Sequence, residues 1–207
     1  MLRSPSAGMF YVFCDEKHFR QQCAISTGVV LVPQQSWSYL DPQLQGLQAP
    51  RRAQRIDRLR HVLERLDGVG LVAWTQTADI AQSGRRDSTA DIKGMARADN
   101  IWGIAMATSV YRILISARTL GLEVRTADIH YDTFALRSDH RKALYAALRE
   151  RIPKDIHEAR MDGHAPSDFR PRIRRIEDTP KAPERAGLTK FQVGVKMAHA
   201  FGVRKEL

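Results

Sequence analysis

Only two of the 207 residues are cysteine, Cys14 and Cys23. Both fall in predicted strands. That scarcity excludes a disulfide scaffold and a cysteine zinc site, and makes a reducing cytoplasm the expected compartment. No apolar run approaches the ~20 residues of a membrane span. The first ten residues, MLRSPSAGMF, hold one arginine and no long apolar stretch, so they do not read as a secretory signal. A phosphate-binding glycine loop, a CxxC pair, a nucleophile elbow and an internal repeat are all missing. These absences remove the common nucleotide-triphosphate, redox and serine-hydrolase readings.

What the chain has in excess is positive charge. Lysine and arginine number 33 against 23 acids, for a net charge of +10 and a pI near 10.1. Such a balance favours anionic partners, nucleic acid above all. The other reading is a generally basic protein with a solvated surface. With 43% hydrophobic residues the chain can bury a substantial core. The expectation is a single domain over 9–207, with a helical insertion around 45–67.

Apolar residues 10–14 read as a strand buried on both faces. Residues 23–33, CAISTGVVLVP, read as a second strand stopped by Pro33, about eight residues on, and the two suit an antiparallel hairpin. Residues 34–50 look like a loop. Ile56, Leu59, Leu63 and Leu66 then share one helical face. Residues 71–78 read as a third strand and 101–121 as a buried helix, capped by Asp99 or Asn100 and closed by Gly121. A fourth strand spans 122–132. A helix over 139–151 has Pro153 beyond it, 154–171 look irregular, and a fifth strand spans 172–178. The last helix covers 188–202. The expected fold is α/β, a mixed five-stranded sheet flanked by helices, in the element order of a ribonuclease H-like fold.

The acids gain meaning on that order. Asp15 would lie where the first strand leaves the core, and the fourth strand carries Asp128 and ends at Asp132. In this arrangement the two strands are neighbours, so the carboxylates could converge. Convergent carboxylates repel unless a divalent cation sits between them, and such metals drive phosphodiester cleavage. Acids also end strands because turns are polar. Asp128, His130 and Asp132 share a strand face by their period-2 spacing. That face suits a ligand set, or plain solvent exposure.

Short motifs carry a family resemblance. FYVFCDE presents Asp15 and Glu16 after the first strand. ADIKG places Asp91 and Lys93 before the long helix. KFQVGVKMAHAF holds Gln192, with Val195 three residues on. The chain resembles a group of bacterial ribonuclease H-like proteins with Asp-Glu, Glu-Ile/Leu-Lys and Gln-x-x-Asp in these places. It departs from them at Asp91, where the pattern has Glu, and at Val195, where it has Asp. The resemblance implies a metal-dependent nuclease with Mg²⁺ or Mn²⁺. Asp15 would be the central ligand, Asp128 or Asp132 the second, and Asp91 or Asp99 the third, with Asp15, Asp91 and Asp128 as the catalytic acids and Lys93 on a phosphate. Glu16 would face the other way. His199, four residues past Val195 and on about the same helical face, could stand in for the missing acid; otherwise it packs near a helix end.

Arg51, Arg52, Arg55 and Arg58 lie within about two helical turns, and Arg172 and Arg174 share a strand face, so both groups suit phosphate contacts. Trp37, Tyr39 and Trp74 suit base stacking or ordinary packing. The competing expectation, favoured by Val195, is a non-catalytic nucleic-acid-binding or scaffold subunit with a protein partner in a larger complex.

Overall fold

The computed structural model describes residues 8–19, 24–38, 61–63, 65–66, 68–76, 98–132, 138–179 and 190–202. They form an α/β structure around a mixed, open five-stranded sheet. The strands are β1 (Gly8–Phe19), β2 (Ala24–Pro33), β3 (Val69–Gln76), β4 (Val124–Tyr131) and β5 (Arg172–Asp178). The helices are α1 (Gln34–Ser38), α2 (Ala98–Thr119), α3 (Ser138–Met161) and α4 (Lys190–Gly202). The spatial order is β3-β2-β1-β4-β5. The pairs β1–β2 and β2–β3 are antiparallel; β1–β4 and β4–β5 are parallel.

Period-2 alternation sorts β1 into two faces. Phe10, Val12 and Cys14 point into the larger core, with Val29, Leu31, Ile129 and Tyr131 from their neighbours. Helix α2 covers that face through Met106, Val110, Ile113, Leu114 and Ala117, and α3 packs on α2 through Leu148, Ile152 and Ile156. Tyr11 and Phe13 point to the opposite face. There α4, α1 and the residues Val62, Leu63 and Leu66 build a smaller core with Val30, Val32, Trp37, Val195, Met197 and Ala198. Two covered faces explain why β1 and β2 read as nearly continuous apolar runs.

Helix α2 ends as its sequence predicts. Gly121 takes φ +80, and Leu122 N–H donates to Ala117 O at 2.9 Å, the wide bond of a Schellman motif. Helix α3 does not end as predicted. It runs through Pro153 to Met161, although proline removes an interior hydrogen bond. The turns beyond it bury Ile156 and Ala159, and that apolar burial outweighs the local penalty. The stretch 154–161 is therefore helix, not irregular chain. The predicted loop after Pro33 begins instead with α1, which drives Trp37 into the smaller core at 2% exposure. Trp37 is thus packing, not a base-stacking platform. Of the predicted helix before Gly68, residues 61–63 and 65 are helical and the rest lies outside the described residues, as does most of the expected insertion. Among the described residues no helix is long and apolar enough to cross a membrane.

Candidate functional site at the rim of the first strand

Strand β1 does not stop at Cys14. It continues, paired with β2, to Phe19↔Ala24, whereas its pairing with β4 ends at Cys14↔Tyr131. Asp15 is therefore the first residue of β1 beyond the end of β4. It sits at a rim of the parallel part of the sheet without being at a strand end. Its side chain belongs to the face of Tyr11 and Phe13, the face under α4. Its antiparallel neighbour on that face is Gly28, which leaves room beside the carboxylate.

Helix α4 fills that side. Gln192, Val195, Met197 and Ala198 are buried, and Gly194 lies directly against the ring of Phe13. This close approach sets the height of the helix over the sheet. One turn later His199 reaches Asp15, with Nδ1 2.6 Å from Oδ2. The carboxylate is 16% exposed and the imidazole 53% exposed. An ionised carboxylate only accepts, so Nδ1–H donates to it. In the neutral ring that leaves the Nε2 lone pair as a free acceptor or ligand atom. Val195, by contrast, belongs to the apolar core. An acid there would be desolvated among hydrocarbon.

The register separates Asp128 from this rim. Asp128 lies opposite Tyr11, four residues before Asp15 on β1, about 13 Å along a strand. The expected convergence of Asp15 and Asp128 is not what the strands produce. Asp128 is 3% exposed, and its carboxylate accepts from Arg174 Nε at 2.9 Å and Nη2 at 2.5 Å. That two-pronged bond raises the Arg174 pKa further above its ordinary range. Arg174 is thus committed to an internal partner. Asp132, one residue past β4, is the acid of that strand which falls level with Asp15. Arg172 is exposed at the start of β5, and Arg175 pairs with Glu177 at 3.6 Å.

His130 lies between these two acids on β4 and is only 2% exposed. Phe191 of α4 stacks on it at 4.4 Å, with Phe13 at 5.5 Å and the edge of Tyr11 at 5.6 Å. Nδ1 lies 3.4 Å from Thr179 Oγ1 and 3.7 Å from Glu177 Oε2. Nε2 has no hydrogen-bond partner among the described residues. Burial pushes the His130 pKa down, against the opposing pull of Glu177 and Asp128. Sequence reasoning did not find this aromatic box or the Arg174–Asp128 pair. The alternation of Tyr11, Phe13 and Asp15 on one strand face was the available signal for the box.

Among the described residues, no three His, Cys, Asp or Glu side chains gather closely enough to hold a metal ion. The side chain of Asp99 lies outside the described residues; its backbone and that of Asn100 lie in the first turn of α2, which begins at Ala98, so neither is the expected cap. Asp91, Lys93, Arg51, Arg52, Arg55 and Arg58 lie wholly outside the described residues. The rim thus offers one carboxylate and one imidazole in direct contact, with a second carboxylate at the end of the adjacent strand. That set can orient an imidazole, hold a proton or supply part of a cation's coordination shell. No protein-family model matches the chain, and no curated protein sequence matches it.

Proposed function

We propose that the chain is a ribonuclease H-like, divalent-metal-dependent nuclease acting on nucleic-acid phosphodiesters. The observation that carries this reading is the 2.6 Å contact between Asp15 and His199. It joins an acid of the first strand to the last helix at the rim where β4 ends. The strand order and directions support it, because an antiparallel meander followed by two parallel strands is the arrangement of that fold. The net charge of +10 supports an anionic substrate.

The donor atoms suit a borderline cation. His199 Nε2 faces away from Asp15, so Asp15 can hold the ring as ligand histidines are commonly held, with Nδ1–H on a carboxylate. A cation on Nε2 would stand across the ring from Asp15, so Asp15 would orient the ligand, and the hard oxygen donors would be water and the substrate phosphate. An imidazole ligand favours Mn²⁺ over Mg²⁺. A cation so held would lower the pKa of bound water and stabilise the leaving oxygen. The chain's own part is to orient His199 and gather the polyanion.

The test is cleavage of a mixed DNA and RNA panel with Mn²⁺ or Mg²⁺. Cleavage should be faster with Mn²⁺, and Asp15→Asn and His199→Ala should each lower it by about 10- to 100-fold or more, as loss of a ligand's orienting partner or of the ligand itself does. Full activity in both variants would refute the site. A second reading is favoured by the engagement of Asp128 with Arg174 and by the lack of a three-ligand cluster among the described residues. In it the chain binds nucleic acid without cutting it. Salt-sensitive binding with no cleavage under either metal would establish that reading in place of the first.

A further inference from the structure

At the opposite end of the sheet a cleft of about 240 Å³ opens between the last turns of α3 and the start of β5. Its walls are Pro153, Ile156, His157, Pro171 and Ile173, and its rim carries Arg160 and Arg170. Ile156 is 7% exposed and rooted in the larger core, so the floor is firm. Among the described residues no carboxylate lines the cleft. Asp168, two residues before Arg170, is already held by Arg118 at 2.8 Å.

The two arginines are differently placed. Arg160 Nε donates to Ser167 O at 3.1 Å. That bond fixes the guanidinium plane and leaves its two terminal nitrogens to act. Arg170 is exposed and has no ion-pair partner among the described residues. On the same helix Arg151 and Lys154 do find acids, Asp155 and Glu158. Two guanidiniums at one mouth repel each other unless an anion lies between them, and a guanidinium pair matches the oxygens of a phosphate. Flat proline faces and two isoleucines beside them suit a planar apolar ring. The volume is somewhat below the ~300 Å³ at which pockets for drug-sized ligands begin. It is large enough to seat one base and its phosphate, with the sugar and any further nucleotide outside in the open mouth.

We propose that this cleft binds a nucleoside carrying a terminal phosphomonoester, with the phosphate between Arg160 and Arg170 and the base against Pro153 and Pro171. Two sources share that chemistry, a free nucleoside monophosphate and the phosphorylated 5′ end of a strand. The site is independent of the rim at Asp15. It lies where β5 begins at Arg172, paired with Thr126, whereas the rim lies beyond Tyr131, paired with Asp178.

The experiment is titration of the full chain, followed by amide chemical shifts, with AMP, adenosine, inorganic phosphate, and a trinucleotide with or without a 5′ phosphate. AMP or the phosphorylated trinucleotide should saturate at or below about 1 mM. Adenosine, phosphate and the unphosphorylated trinucleotide should each bind at least about tenfold more weakly. Arg170→Glu, at an exposed and unpaired position, should weaken binding by about tenfold or more, since it removes a charge-assisted contact and adds repulsion. Arg160→Gln should do the same, with a thermal melt to show that the turn at Ser167 persists; if it does not persist, Arg170→Glu decides alone. Tighter binding of the phosphorylated trinucleotide than of AMP assigns the strand end, and the reverse assigns the free nucleotide. No saturation by either phosphate ester, affinity no better than that of inorganic phosphate or adenosine, or binding unchanged by Arg170→Glu would overturn the proposal.

Discussion

Replacing Gly194 with alanine tests whether the rim depends on the depth at which α4 sits. A Cβ at this position would lie 2.4 Å from Phe13 Cε1, 2.5 Å from Cδ1 and 2.6 Å from Cγ. Ordinary contact begins near 3.4 Å, so the helix or the ring must move by about 1 Å. Phe13 has little freedom to yield. It is fully buried, with Trp37 at 4.7 Å and His130 at 5.5 Å. Overpacking of this kind costs ~1–3 kcal/mol. Alanine returns up to ~1 kcal/mol through its better helix propensity. Taking the middle of each range, about 2 less about 0.5, the expected net loss is about 1.5 kcal/mol, a fall in Tm of about 3–6 °C for a chain of this size.

The same shift bears on the site. Moving α4 outward by about 1 Å would stretch the 2.6 Å bond between His199 and Asp15 beyond hydrogen-bond range. The assay combines a denaturant melt with the proton resonance of His199 Nδ1–H. Both should change in Gly194→Ala. Phe13→Leu in the same chain should give back part of the loss, so that the double variant is more stable than the sum of the singles predicts. An alanine variant as stable as the wild type, with the His199 resonance in place, would refute the argument. So would strict additivity with Phe13→Leu.

Three further outcomes are expected. His130 is neutral and buried, with its pKa below the ordinary value because of burial. As pH falls through about 6.5 the unfolded chain binds a proton that the folded ring does not, so stability should drop until the folded ring also charges; His130→Phe should flatten that drop in denaturant melts from about pH 7.5 to 5, and an unchanged slope would count against it. Arg174→Leu should destabilise the fold by stranding the Asp128 carboxylate, and adding Asp128→Leu should restore part of the loss; a double variant worse than the single would contradict that account. Nucleic-acid affinity should fall steeply with salt and be lowered across sequences alike by replacing Arg51, Arg52, Arg55 and Arg58 with alanine, whereas equal binding by that variant at ~150 mM salt would place the charge contacts elsewhere.

Local signals in the sequence carried the element order. The apolar runs of β1 and β2, the buried pattern of α2 and the glycine at its end all state their structure within a few neighbouring residues. Helix α3 was misread at Pro153 because the residues that sustain it, Ile156 and Ala159, gain their stability from partners distant in the chain. Trp37 was similarly ambiguous until α1 turned it into the core. Register was the hardest feature to read. Asp128 lies on β4 and Asp132 just past its end, and nothing local says which lies level with Asp15. That choice is made by the pairing of Tyr11 with Asp128 and of Cys14 with Tyr131, more than a hundred residues apart in sequence. Helical spacing from Val195 drew attention to His199, but only the depth of Gly194 on Phe13 explains why the ring arrives at hydrogen-bond distance.

The mixed topology gives the chain two chemically opposite ends. Because β1 outruns β4, its face beyond Cys14 is bordered by the hairpin on one side and by the end of β4 on the other. Helix α4 crosses there, so an acid and an imidazole meet in partial exposure. At the other end β5 begins, and its lead-in carries Arg170 and Arg172 past the end of α3. The seven residues of β5 separate these ends by about 20 Å, well beyond the Debye length of ~8 Å at physiological salt. Charge changes in the arginine cleft should therefore leave the Asp15–His199 pair undisturbed. Removing Asp15 should leave the affinity of the cleft unchanged. A polyanion long enough to span the sheet would feel both ends at once, its phosphates drawn to the arginines while the rim holds another part of the strand. If the rim cuts as proposed, loss of the cleft should then weaken binding of long strands more than it slows cleavage of short ones, a difference that a local defect at the rim cannot produce.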